Sequence, residues 1–129
     1  MRSILVLVFA LVSITCNGAL PDDGKLSSFY EKAKECNDIS CIRTEMDRIN
    51  NEILRLLAER TAYVKRAGDL KSRTTKIADD RQRVADQEAK IIAKSIELEL
   101  PTEISVPAFR AIVENSIKFQ QGYIDQLLD

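Results

Sequence analysis

From Ser40 to Ser72 the chain has no proline and repeats apolar residues at one helical period, and this run constrains the fold more than any other feature. Ile42, Met46, Ile49, Ile53, Leu56 and Leu57 recur mostly four and three residues apart, and Val64, Ala67 and Leu70 extend the stripe. The pattern predicts one helix over about residues 40–72, roughly 48 Å long at about 1.5 Å per residue. Asp38 or Ser40 can cap its start. Gly68 costs such a helix about 1 kcal/mol against alanine, so close packing or ligand approach is expected near Ala67-Gly68. Two shorter helices of a small domain cannot cover so long an apolar stripe. A partner chain is expected to do so, in an intertwined homodimer with the long helices paired.

The rest of the chain is shorter-ranged. Ser72, Arg73, Thr74 and Thr75 break the pattern as a turn. A second helix follows with Val84, Ile91, Ile92 and Ile96 inward, ending near Leu98. Pro101 and Pro107 bracket a loop, and Ser105 is placed to cap a third helix carrying Phe109, Ile112, Val113, Ile117 and Ile124. Strand signals, internal repeats and low-complexity tracts are absent from the sequence. The expected fold is all-α, a three-helix chain with one long N-terminal helix.

The first residues read as an export signal: Met1-Arg2, an apolar run over Ile4–Ile14, then small residues at Cys16, Gly18 and Ala19. The run falls short of the about 20 residues needed to span a bilayer, so no stable membrane anchor is expected. The division that follows is a signal peptide at 1–19, an extended or loosely helical N-terminal arm at 20–38 and one domain at 39–129, in a periplasmic or secreted protein. The whole chain holds 19 cationic and 20 anionic side chains; loss of Arg2 with the leader leaves 18 against 20. That balance does not support nucleic-acid binding by bulk electrostatics. Loss of Cys16 leaves Cys36 and Cys41, five residues apart, and an exported chain favours a disulfide between them over two unpaired thiols. With no histidine and no second cysteine pair, no metal site is expected.

Cationic and amide side chains recur on one face of each predicted helix. Arg60 and Lys71 lie eleven residues apart, close to three turns, about 16 Å along one face. Asp80, Arg83 and Gln87 share a face of the second helix, and Ser116 and Gln120 a face of the third. Arg43 stands apart, seventeen residues before Arg60, about 25 Å away and rotated by roughly 100°. It reaches the same ligand only from a partner chain in an antiparallel dimer. Such a set is poor at moving protons and suited to gripping a small dianion.

Over about residues 39–125 the chain resembles the all-helical chorismate mutases. The likeness is carried by Arg43, the run Ile53-Leu54-Arg55-Leu56-Leu57-Ala58-Glu59-Arg60, Lys71, the run Asp80-Arg81-Gln82-Arg83-Val84-Ala85-Asp86-Gln87, and Glu114-Asn115-Ser116 with Gln120-Gln121. The resemblance implies that Arg60, Arg43 of the partner and Arg83 clamp the two carboxylates of chorismate, with Ser116 a further carboxylate contact. It implies that Lys71 and Gln120 donate to the ether oxygen whose bond breaks, and that Asp80 orients Lys71 or meets the substrate hydroxyl. No cofactor is implied. Intracellular members carry a glutamate directly after the second-helix arginine, where this chain has Val84; Arg83, Val84 and Gln87 are instead similar to the exported subclass. Two other readings fit the residues: an isochorismate pyruvate lyase of the same fold, and a non-catalytic exported helical dimer that binds a protein.

Overall fold

The computed structural model describes residues 23–129; the leader and residues 20–22 of the arm lie outside the described residues. Four helices follow in order: α1 (Leu26–Ala33), α2 (Ile39–Lys71), α3 (Arg81–Glu97) and α4 (Thr102–Leu128). The three long helices match the expected architecture. The arm, expected to be extended or loosely helical, forms α1. Its start is pinned to the α3–α4 turn, where the Leu26 N–H donates to the Leu98 carbonyl at 2.9 Å and the Ser27 N–H to Glu99 Oε2 at 3.2 Å.

Helix α2 is capped by Asp38, whose carboxylate accepts from the Cys41 N–H at 2.8 Å. Cys36 and Cys41 form a disulfide with Cα atoms 5.5 Å apart, tying the end of the arm to the first turn of α2. At 33 residues α2 is about 50 Å long. Its last turn closes on the Lys71 carbonyl, which accepts from Thr74, Thr75 and Lys76 at 2.9 Å each. Lys76 then takes a left-handed φ of 58°, which turns the chain toward α3.

Helix α4 packs against both others. It runs parallel to α2, as the paired levels Arg60–Ser116, Val64–Gln120 and Asp69–Tyr123 show. It runs antiparallel to α3, through Arg81–Glu114, Glu88–Arg110 and Ser95–Ser105. Gly68 lets α2 and α4 approach: a Cβ there would stand 2.9 Å from Cδ1 of Tyr123. The expected close packing is therefore real, and a side chain of α4 supplies it.

Two expectations need correction. Ser105 does not cap the last helix and Pro107 does not bound a loop, because α4 starts at Thr102 with Pro107 inside it. The Ser105 hydroxyl is buried and lies 2.7 Å from that of Ser95, a bond that joins α3 to α4. Pro107 lacks the N–H that would meet the Glu103 carbonyl, and both residues are exposed, so water can serve that carbonyl. Of the four residues expected inward on the second helix, Val84 and Ile91 are half-buried, whereas Ile92 and Ile96 are exposed in the protomer and Ser95 is buried against α4.

Candidate active site

Seven of the eight expected ligand-binding residues line one cavity of about 360 Å³ between the second half of α2, the start of α3 and the second half of α4. Helix α2 contributes Arg60 and Lys71, the start of α3 contributes Asp80, Arg83 and Gln87, and α4 contributes Ser116 and Gln120. Val64, Ala67, Val84, Val113 and Ile117 form the apolar walls. The volume lies in the range of small-molecule sites, about 300–1,000 Å³. Arg43 is the exception. It is exposed, in a stretch from Ile42 to Leu56 where every residue is exposed, and it does not reach this cavity within its own chain.

The polar groups hold one another in place. Lys71 Nζ donates to the Ala78 carbonyl at 2.6 Å and to Gln120 Oε1 at 3.2 Å. Gln120, 6 % exposed, donates through Nε2 to the Val64 carbonyl at 2.5 Å. An ammonium has three donors and a primary amide two. One N–H of Lys71 and one of Gln120 therefore remain for a ligand.

Arg60 Nη1 donates to Ser116 Oγ at 2.6 Å, and the Ser116 hydroxyl donates to the Ile112 carbonyl at 2.6 Å. Ser116 thus aims Arg60, with its own proton committed to the α4 backbone. Four guanidinium N–H groups of Arg60 stay available. Asp80 is the N-cap of α3 and accepts from the Arg83 N–H at 3.0 Å. The cap fixes the first turn from which Arg83 projects. Among the described residues Arg83 and Gln87 make no side-chain hydrogen bond, which leaves their donors to a ligand.

Charge in the cavity is one-sided. Arg60, Lys71 and Arg83 face a single carboxylate, Asp80, an excess of two positive charges. The nearby rim acids do not offset it, because each has its own partner across α3 and α4. Arg110 binds Glu88 through two hydrogen bonds, of 2.8 and 2.6 Å, which hold the Glu88 carboxyl below its ordinary range. Glu114 takes Arg81 at 2.8 Å and raises that guanidinium. A second cavity of about 390 Å³ adjoins the first through Arg60, Arg83 and Gln87 and runs between α3 and α4 over Ile91, Val106 and Phe109.

Sequence reasoning missed three contributors. The Ala78 and Val64 carbonyls that steer Lys71 and Gln120 are backbone atoms, which leave no trace in residue type. Tyr123 donates to Asp69 Oδ1 at 2.5 Å and packs on Gly68 beside Gln120. Its position three residues beyond Gln120, on the same face, was the available signal.

Among known proteins, the sequence model of the family described as chorismate mutase type II matches residues 42–121. No curated protein and no solved structure matches the chain. The match spans most of α2, all of α3 and α4 as far as Gln121, and so includes every helix that contributes to the cavity. With the all-helical architecture, it establishes that the chain belongs to the chorismate mutase type II family.

Proposed function

We propose that this enzyme rearranges chorismate to prephenate in the Arg60–Lys71–Gln120 cavity, as an exported homodimer in which Arg43 of each chain completes the partner's site. The observation that carries the reading is the convergence of three cations and two amides from three helices on one cavity with two excess positive charges. Chorismate is a dicarboxylate of matching charge. Its rearrangement is unimolecular and pericyclic, so it needs no nucleophile or proton relay. What it does need is a chair-like conformer and stabilisation of the negative charge that grows on the ether oxygen.

The residues divide that work. Arg60, aimed by Ser116, and Arg83, fixed by the Asp80 cap, grip carboxylates through paired N–H donors. The remaining N–H groups of Lys71 and Gln120 meet the ether oxygen, where they act most if they bind the transition state better than the substrate. Both donors are held before substrate arrives, so little reorganisation is required at the moment of reaction. The apolar walls exclude water and strengthen these contacts.

The dimer accounts for what one chain leaves open. Met46, Ile49, Ile53 and Leu56 form an apolar stripe between 41 % and 53 % exposed. Patches of this kind, rimmed by charge, mark protein contacts. Arg43 has no side-chain partner among the described residues and sits on that projecting half of α2. Export is supported by the leader pattern at residues 1–19, by the Cys36–Cys41 disulfide, and by Val84 and Gln87 in the cavity wall.

Loss of chorismate absorbance, followed with purified parent, Arg60→Ala and Lys71→Ala, tests the reading. Removing one charge-stabilising donor should lower kcat by about 10²–10³-fold, with the circular dichroism spectrum unchanged. Near-parental turnover by Lys71→Ala would reject it, and faster release of pyruvate from isochorismate would favour the lyase. For the dimer, Arg43→Ala and Lys71→Ala chains are mixed. Random exchange leaves one intact site in each heterodimer and restores roughly a quarter of the parental activity. No recovery would mean that Arg43 does not serve the partner's site.

A further inference from the structure

Lys71 is steered by a backbone carbonyl, and what holds that carbonyl is a side chain with no role so far. The connection between α2 and α3 is nine residues long, 72–80, and contains the left-handed Lys76. Ala78, two residues before its end, is 3 % exposed. Its carbonyl accepts from Lys71 Nζ at 2.6 Å, and its N–H donates to Gln121 Oε1 at 2.9 Å. Gln121 Nε2 reaches the Lys76 carbonyl at 3.4 Å and donates to Asp125 Oδ1 at 2.8 Å. A carboxylate is acceptor-only, so Asp125 sets which way the amide faces and turns its oxygen to Ala78. One side chain of α4 thus grips the connection on both sides of Ile77. A left-handed lysine is costly and persists only where its surroundings hold it.

We propose that Gln121 is a positioning residue for Lys71, acting through the Ala78 backbone to set the direction of the one ammonium N–H that faces the cavity. Two of the three donors of Lys71 are taken by Ala78 and Gln120. Their directions fix the third. If Ala78 drifts, the ammonium turns and the donor leaves the ether oxygen, while the carboxylate clamps on Arg60 and Arg83 stay in place. Gln120 and Gln121 are adjacent in sequence but point to opposite sides of this arrangement: Gln120 binds Lys71 directly and Gln121 binds the connection that holds it. The inference rests on the role of Lys71 given above, and the test separates the two.

Gln121→Leu removes all three contacts. It should lower kcat and kcat/KM together by about ten-fold or more, with KM within about two-fold, the pattern of an interaction made only in the transition state. Hydrogen exchange at the Ala78 amide should speed up, while amides inside α2 keep their protection. A double-mutant cycle isolates the route, read as calorimetric affinity for a bridged bicyclic dicarboxylate that mimics the chair-like transition state. Once Lys71 is alanine, Gln121→Leu should change that affinity by less than about two-fold. Gln121→Glu with Asp125→Asn restores an acceptor for Ala78 and a donor beside it, though not the contact to the Lys76 carbonyl, and should recover part of the lost kcat and of the Ala78 protection. That pair also serves if Gln121→Leu folds poorly. Parental kcat in Gln121→Leu, an undiminished loss in the Lys71→Ala background, or no recovery in the paired variant would each overturn the proposal. If Lys71→Ala itself turns over normally, the role of Lys71 falls and this inference with it.

Discussion

Gly68→Ala sets two opposed effects of comparable size against each other, and the structure decides the sign. Gly68 has an ordinary helical backbone, so alanine would gain about 1 kcal/mol of helix propensity. The new methyl, however, would stand 2.9 Å from Cδ1 of Tyr123 and 3.4 Å from Cγ of Gln120. Carbon atoms prefer about 3.5–4.0 Å, so Tyr123 must retreat by about 0.6–1.1 Å. Its ring cannot swing freely, because its hydroxyl is bonded to Asp69 at 2.5 Å and the ring lies 5.0 Å from Lys65 Nζ. Overpacking of this kind costs about 1–3 kcal/mol. The net expectation is a loss of about 0–2 kcal/mol, lowering Tm by up to roughly 10 °C for a domain of this size. Activity should suffer more than stability. If α4 yields, Gln120 shifts relative to Lys71, and a 1 Å misplacement costs about 10²-fold in rate. Thermal melts followed by circular dichroism, with chorismate-loss kinetics on the same samples, read both quantities. In a Tyr123→Ala background the substitution should become neutral or stabilising. A single variant that melts at or above the parent and turns over normally would show that Tyr123 yields without cost.

Two further perturbations test the two ends of α2. Tyr123→Phe should leave a pH-dependent scar: the hydrogen bond to Asp69 raises the Tyr123 hydroxyl above its ordinary range, and the same bond holds the Asp69 carboxyl below its own. A depressed carboxyl contributes stability above its unfolded pKa and loses it as pH falls through the folded value; a raised phenol contributes below its unfolded pKa and loses it as pH rises through the folded value. The Tm gap between parent and variant should therefore be flat from about pH 5 to 9 and shrink toward both extremes, and a gap unchanged down to pH 3 would contradict this. Replacing Cys36 and Cys41 with alanine opens a loop closed over a separation of five residues, which the chain-entropy model values at about 2 kcal/mol. The pair lines neither cavity, so kcat should hold while Tm drops, and a drop in kcat at temperatures where the protein remains folded would tie the arm to the site.

Much of the fold was legible because helix periodicity is a local property. The expected 40–72 helix is observed at Ile39–Lys71, since its apolar stripe, its Asp38 cap and the Ser72–Thr75 break are all written within a few residues of one another. The start of α4 was not. Pro107 looks like a boundary and Ser105 like a cap only while Ser95 is ignored, and Ser95 comes from the preceding helix. The arm was legible only as extended or loosely helical: α1 has no side-chain cap and no buried residue, and its anchorage comes from the α3–α4 turn some seventy residues later.

For the site, the boundary between sequence and structure is chemical. Residue type alone determined that the chain carries cations and amides without histidine, and helical spacing alone put Arg60 with Lys71, Arg83 with Gln87, and Ser116 with Gln120, because a helix face is set by covalent geometry. Spacing also isolated Arg43, and the protomer leaves it exposed and away from the cavity. Which donors are spent and which are free depends on how the helices pack. The Ser116 proton goes to its own helix, Lys71 gives two N–H groups to Ala78 and Gln120, and the Ala78 carbonyl is held through Gln121. Those assignments depend on distances between helices and on backbone atoms of a connecting segment. A one-dimensional pattern encodes neither, because hydrogen-bond direction is settled only when the helices have packed.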